Sequence, residues 1–313
     1  MTQPPIDLDM DLSDLSQNDW LGRLDALGDD HGYFEQLGAK HYALFLAGGP
    51  QLFVTFETIE SIHKLPGAAP RGFDLVARNG WSHLALISDG ETWFRDPAVY
   101  KFFDRLIDEG FFEGFEQVLF FGAGSGGYAA AAYSVAAPGA QVLALRPQAT
   151  LDPATTGWDR RFVGQRRLDF NARYGYAPEM LDAAERAFVV YDPGFTPDAT
   201  HAALFRRPHV TMLHGALAGS RIDAALDTMQ ITTPLIEAAM AGNLTLASFG
   251  RLWRARRDNV AYLRALLKRA EGTGRTGLVR RICSYGIKTR DRALYQRKLD
   301  ETIRGPAAAS AAE

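Results

Sequence analysis

Phe120-Phe-Gly-Ala-Gly-Ser-Gly-Gly-Tyr128 joins two stretches of opposite character. Residues 118–121 read as a buried strand, and the alanine-rich residues 128–137 read as a helix. A strand that turns into a helix through small residues is the backbone device behind two chemistries. One is the nucleophile elbow, G-x-S-x-G; the other is the dinucleotide fingerprint, G-x-G-x-x-G. Gly122, Gly124 and Gly127 satisfy the second pattern literally. The first depends on register. With Gly122 and Gly126 as flanking small residues, the nucleophile position holds Gly124, which has no side chain; with Ala123 and Gly127 flanking, it holds Ser125.

Working outward, eight apolar runs have strand length: 42–47, 52–57, 73–77, 83–87, 117–121, 141–145, 186–191 and 210–213. Several lack strict alternation and are rich in Val, Leu and Phe, as expected when helices cover both faces of a sheet. Between them, residues 98–109 place Tyr100, Phe103, Leu106 and Ile107 at helical spacing. The alternation predicts an α/β fold with a mainly parallel, doubly wound sheet. Residues 151–184 form a long insertion between the sixth and seventh runs. After residue 220 only helices are expected, over 223–240, 245–257 and 259–269, with a break at Gly272 and Gly274. The division that follows is a mobile tail at 1–18, a main domain at 19–220, a helical extension at 221–304 and a second mobile tail at 305–313.

The order of elements carries a resemblance. Gly122-Ala-Gly-Ser-Gly-Gly-Tyr-Ala-Ala130 follows the fifth run, and Arg146-Pro-Gln-Ala-Thr-Leu-Asp152 follows the sixth. The chain over roughly 40–220 resembles the α/β-hydrolase superfamily, in particular bacterial members with G-x-S-M-G-G-Y-A-A after strand five and Pro-Gln after strand six. The resemblance implies an α/β-hydrolase-like, mainly parallel eight-stranded sheet, a cap insertion at 151–184, and a triad in the chain order Ser…Asp…His. Asp192 after the seventh run and His214 after the eighth stand where that order puts the acid and the base. The catalytic set it implies is Ser125, His214 and Asp192, with Gly124, Gly126 and Gly127 around the oxyanion or ligand. The same alignment exposes a departure, because Gly-Gly-Tyr-Ala-Ala fixes the register and puts Gly124 in the nucleophile's place.

Weak or lost ester or acyl hydrolysis, or acyl transfer, at Ser125, His214 and Asp192 is one expectation. A non-catalytic protein that binds a ligand or partner on a hydrolase scaffold is another. In either case the small-molecule ligand is expected to be an acyl compound or ester. Each residue also has a plain structural role open to it: Ser125 as a helix-starting cap, Asp192 before Pro193 as a turn residue, His214 as a surface residue. Asp198 and Asp152 are alternative acids; His201 and His83 read as structural, and Trp93 and Arg95 stand where a pocket wall forms. Gly126→Val is expected to abolish ligand binding in a protein that stays soluble. A third reading is an NADP-binding loop at Gly122, Gly124 and Gly127, with Arg146 meeting a 2′-phosphate. Four strands upstream of the loop fit it poorly. Ser125-Gly-Gly also opens like the S-G-G-x-D-S loop of phosphoadenosine phosphosulfate reductases, a label given to chains similar to this one. Ala129 and Ala130 occupy its aspartate and serine positions, and Cys283 lacks a Glu-Cys-Gly context, so no residue supports that activity.

Composition narrows the setting. One cysteine among 313 residues excludes an internal disulfide framework and a cysteine-rich metal site. No secretory leader or membrane-length apolar run is visible, which predicts a cytoplasmic protein without a resident cofactor or metal. The net charge of −3 hides an asymmetry, because residues 251–304 hold 16 Lys+Arg against 5 Asp+Glu. Such an extension can meet an anionic partner, or can be solvated beside an acidic body. Its Leu252, Trp253, Tyr262, Leu263 and Leu266 are expected to be buried against the main domain.

Overall fold

Among the described residues, eight strands form one sheet: β1 (Gly32–Leu37), β2 (His41–Leu46), β3 (Gln51–Thr58), β4 (Ser82–Ser88), β5 (Gln117–Ala123), β6 (Gln141–Leu145), β7 (Arg186–Tyr191) and β8 (Val210–His214). They lie in the order β1-β2-β4-β3-β5-β6-β7-β8. β2 is antiparallel to both neighbours, and every pair from β4-β3 to β7-β8 is parallel. With a helix entered by a sharp turn after the fifth strand, the fold is α/β-hydrolase-like, as the resemblance implies. This computed structural model describes residues 8, 10–288 and 291–304. The expected tail at 305–313 lies outside them.

Fourteen α-helices accompany the sheet among the described residues. Up to the elbow they are α1 (Gln17–His31), α2 (Ile59–Ile62), α3 (Phe73–Asn79) and α4 (Pro97–Asp108). The elbow helix is α5 (Ser125–Tyr133), followed by α6 (Pro153–Thr156) and α7 (Ala177–Met180) in the insertion, then α8 (Thr196–Leu204). The C-terminal part holds α9 (Ile222–Thr228), α10 (Thr232–Met240), α11 (Leu246–Leu252), α12 (Val260–Gly272), α13 (Thr276–Gly286) and α14 (Arg292–Arg304). None is long and apolar enough to cross a membrane.

Alternate strand residues feed two cores. Val54, Phe56, Phe120 and Val142 pack with α4, α5 and the insertion; Phe53, Phe121, Leu143 and Val190 pack with α1, α3 and α9 to α11. Burial on both faces is why the strand runs lacked alternation.

Four sequence readings change. Residues 73–77 are helix, not strand. Gly72 (φ 119°) and Gly80 (φ 66°) bracket α3, and the Gly80 N–H closes it on the Val76 carbonyl. Apolar period cannot separate the two states over five residues. The strand that replaces that run is β1, an edge strand in which Glu35 and Gln36 interrupt the apolar pattern. The helix expected over 223–240 is two, α9 and α10, broken where Gln230 takes φ 56°. Within the expected tail at 1–18, the described residues include buried Leu8 and Leu12, and the Leu12 N–H donates to the Gly67 carbonyl at 2.8 Å; residues 1–7 and 9 lie outside the described residues.

The extension also divides differently. α9 to α11 and Trp253 belong to the sheet's own core, whereas Leu263, Leu267, Val279, Ile282, Cys283 and Tyr295 make a separate core among α12, α13 and α14. Tyr262 and Leu266 therefore pack on this small unit and not on the main domain.

Candidate functional site

The turn into α5 falls on Gly124, with φ 59° and ψ −119°, and Ser125 is the first helical residue. Side chains rarely adopt that backbone, which glycine enters freely. Gly124 is held there from both sides: its N–H donates to the Leu145 carbonyl at 2.9 Å, and its carbonyl accepts the Tyr128 N–H at 2.9 Å. A Cβ on Gly122 would lie closer than 3.0 Å to the Gly126 carbonyl, and one on Gly126 closer than 3.0 Å to that of Phe56. These two glycines let α5 sit directly on β5 and β3.

The elbow opens into a cleft of about 510 Å³ at the carboxyl edge of the sheet, lined among others by Glu57, Arg71, Trp93, Ser125, Arg146 and Asp223. Arg146 lies tight against the place where a nucleophile's side chain would begin. Its Nη1, Nη2 and Cζ lie 3.2, 3.3 and 3.4 Å from the Cβ position of Gly124. The guanidinium is fixed there by Asp223, which accepts from Nε at 2.9 Å and from Nη2 at 3.1 Å. A second fork lies beside it, where Arg71 donates from Nη1 and Nη2 to Asp227 at 3.0 and 2.9 Å. Asp223 and Asp227 are one helical turn apart, so the two forks clamp α9 against the sheet edge. Burial raises the Asp223 carboxyl, but the hydrogen bonds and charge of Arg146 outweigh it and hold it below the usual carboxylate range.

Glu57, the next residue but one along β3 from Thr55, accepts the Arg71 backbone N–H at 2.9 Å. Burial is the main influence on its carboxyl and, against the pull of Arg71, pushes it up to about 7. A carboxyl whose folded value is raised favours folding below its unfolded value and loses that contribution as pH climbs through the folded one. Glu57 should therefore make the protein less stable as pH rises from about 4.5 to about 7. Glu57→Gln should flatten this slope and stabilise the protein at pH 8 by up to roughly 3 kcal/mol. Urea unfolding at pH 5 and pH 8 measures it; an unchanged slope in the variant would count against the assignment.

Asp192 directly follows β7, and His214 ends β8, so both stand at the same sheet edge as the elbow. Among the described residues, however, no hydrogen bond joins them to each other or to Ser125. Asp192 accepts the Gly194 N–H at 2.8 Å and the Gly219 N–H at 2.7 Å, stapling two loops together. His214 is exposed, and its Nε2 meets the Tyr191 hydroxyl at 3.1 Å. Ser125 lines the cleft, as do Gly124 and Gly126; Gly127 lies a residue deeper, where a Cβ would stand 3.0 Å from the Leu145 carbonyl. Arg95 is buried against the insertion, donating to the carbonyls of Asp169 and Arg173, whereas Trp93 does line the cleft.

His201 and Asp198 belong to a buried cluster that anchors the insertion. The Ala149 N–H donates to His201 Nδ1 at 3.1 Å, so the ring's Nε2–H faces Asp159 Oδ2, also at 3.1 Å. Arg161 donates to Asp159 from Nε and Nη2 and to Asp198 from Nη1 at 2.7 Å. Asp152, the other alternative acid, caps α6. Sequence reasoning missed Arg71, Glu57, Asp223 and Asp227, since single charged residues in a turn, at a strand end and on a short helix carry no motif.

No protein-family model matches the chain, and no curated protein matches it. Solved structures do, as similarities of fold. The capsule O-acetyltransferase of Neisseria meningitidis serogroup A is 11% identical, with 65% of this chain and 94% of that one covered and a TM-score of 0.42. MPT51 of Mycobacterium tuberculosis is 14% identical over 66% of this chain and 98% of that one, with a TM-score of 0.43. The acylaminoacyl peptidase of Pyrococcus horikoshii is 8% identical over 69% of this chain and 42% of that one, with a TM-score of 0.44.

Proposed function

We propose that this chain is a small-molecule binding protein on an α/β-hydrolase-like scaffold, with ester hydrolysis lost or at most weak. The observation that carries the reading is Gly124 at the elbow with the Arg146 guanidinium over its Cβ position. A nucleophile needs a side chain on that turn, a base within hydrogen-bond reach and an acid that orients the base. Here the turn residue has none, and His214 and Asp192 are engaged with other partners. The hydrolase reading through Ser125 keeps one point in its favour, because Ser125 lines the cleft and its hydroxyl bonds nothing among the described residues. For the NADP reading, Arg146 is the residue that would meet a 2′-phosphate, and its fork with Asp223 already engages two of its nitrogens. Exposed Lys268, Arg269 and Arg281 on α12 and α13 support a separate anionic partner for the small helical unit.

A fluorophosphonate probe tests the reading. Wild type is expected to stay unlabelled, and Gly124→Ser alone is expected to gain nothing, because its new Cβ meets Arg146 and its hydroxyl has no base. Strong wild-type labelling that disappears in Ser125→Ala would make the protein an active serine hydrolase instead.

A further inference from the structure

Three polar groups around the elbow cleft have no hydrogen-bond partner among the described residues. Arg146 uses Nε and Nη2 on Asp223, and its Nη1 makes no hydrogen bond among the described residues. The indole N–H of Trp93 and the amide oxygen Oε1 of Gln148 are also unpartnered, although the two residues are only 1% and 0% exposed. All three residues line the same cleft. Buried polar groups in folded proteins are nearly always satisfied, so two orphans beside one cleft call for a ligand that satisfies them. Backbone strain gathers in the same place: Trp93 and Arg146 hold φ of 51° and 42°. Strain of that kind clusters where a fold holds side chains ready for a ligand. The nine-residue helix α5 opens here too, and the first N–H groups of a helix have no carbonyl of their own helix to meet.

Resting on the reading of the cleft as a binding site, we propose that it takes a small hydroxylated oxyanion, a carboxylate or phosphate on a ligand that also carries a hydroxyl. The anion meets Arg146 Nη1 and the first turn of α5, and the Trp93 N–H donates to it. The ligand's hydroxyl donates to Gln148 Oε1. Asp223 acts as a positioning residue, since its fork holds the guanidinium flat over Gly124 and leaves Nη1 for the ligand. The carboxylates of the cleft do not oppose this: Asp223 and Asp227 are each matched by an arginine, Glu60 by Lys64, burial favours the neutral form of Glu57, and Glu91 is exposed at the rim.

Titration calorimetry on the full chain tests the proposal with glycolate, glycerol 3-phosphate, acetate, inorganic phosphate and glycerol. Glycolate or glycerol 3-phosphate is expected to bind, which also separates a carboxylate from a phosphate ligand, and neutral glycerol is expected not to. Arg146→Met should weaken the bound anion by about tenfold or more. Gln148→Met should remove the preference of the hydroxylated anion over acetate or inorganic phosphate, and it carries the test if Arg146→Met does not fold. Binding of none of the anions, or equal binding by wild type and both variants, would overturn the ligand class. Fluorophosphonate labelling of the same wild-type sample keeps the two readings apart: labelled protein sinks the binding-protein reading, whereas unlabelled protein that ignores every anion sinks only the ligand class.

Discussion

Replacing Gly126 with valine is expected to unfold the protein rather than to empty its cleft. The new Cβ would lie closer than 3.0 Å to the Phe56 carbonyl oxygen, and that atom is backbone in a central strand. Phe56 cannot give way easily. Its ring stacks on Phe103, Phe120 and Tyr133 and meets Phe94 edge-on, in the middle of one core. Either α5 lifts off β3 or β3 shifts, and both open a fully packed interior. A cost above about 4 kcal/mol follows, among the largest a single substitution causes. Thermal unfolding should show Tm lower by roughly 10 °C or more, or no soluble protein at all. A variant within a few degrees of wild type would mean that the elbow is looser than its geometry. The sequence suggested a soluble but ligand-free variant, because it could show the glycine and not the carbonyl facing it.

Arg161→Met is expected to have the next largest effect. Asp159 and Asp198 have side chains only 1% and 0% exposed, and Arg161 bonds both. Removing the cation leaves two buried carboxylates without their counter-charge, a loss of roughly 3–5 kcal/mol at neutral pH. The pH dependence gives the mechanism away. In wild type, burial pushes Asp159 up, but the hydrogen bonds from His201 and Arg161 win and hold it far below the ordinary range; Asp198 is raised by burial. Without Arg161 both carboxyls should rise. Raised carboxyls favour folding at low pH and lose that contribution as pH climbs, so the variant's deficit should be smaller at pH 5 than at pH 8. Urea midpoints at the two values read this directly. A deficit below about 1 kcal/mol that is the same at both would show that the cluster does not anchor the insertion.

The parallel half of the sheet was legible because each of its strands is a short apolar run closed by turn residues. What the run length could not decide was Phe73–Asn79, where the four apolar residues Phe73, Leu75, Val76 and Ala77 suit a buried strand or a helix equally. Gly32–Leu37 escaped for the opposite reason, since an edge strand half open to water tolerates Glu35 and Gln36. The elbow register was readable from Gly-Gly-Tyr-Ala-Ala, and the positive-φ turn does fall on Gly124. Arg146 was noticed, but for a phosphate it would meet; its position over Gly124 depends on Asp223, 77 residues away in the chain. Asp192 and His214 arrived at the right edge by strand order, which fixes where a residue stands but not which partner its side chain chooses.

The separate core among α12, α13 and α14 has a thermodynamic consequence. Its main link to the remainder is the short 3-10 helix Trp253–Asp258, and its buried apolar cluster is separate from those that flank the sheet. Cooperativity between packed regions depends on what they bury against each other, and here no buried apolar cluster spans the two among the described residues. The chain is therefore expected to melt as a pair of unequal units rather than as one all-or-none system. A single midpoint from far-ultraviolet ellipticity, which counts every helix alike, would blend the two transitions. A signal confined to the larger unit, such as tryptophan near-ultraviolet ellipticity from Trp20, Trp81 and Trp93, follows that unit alone, and a free energy of unfolding has its usual meaning only there.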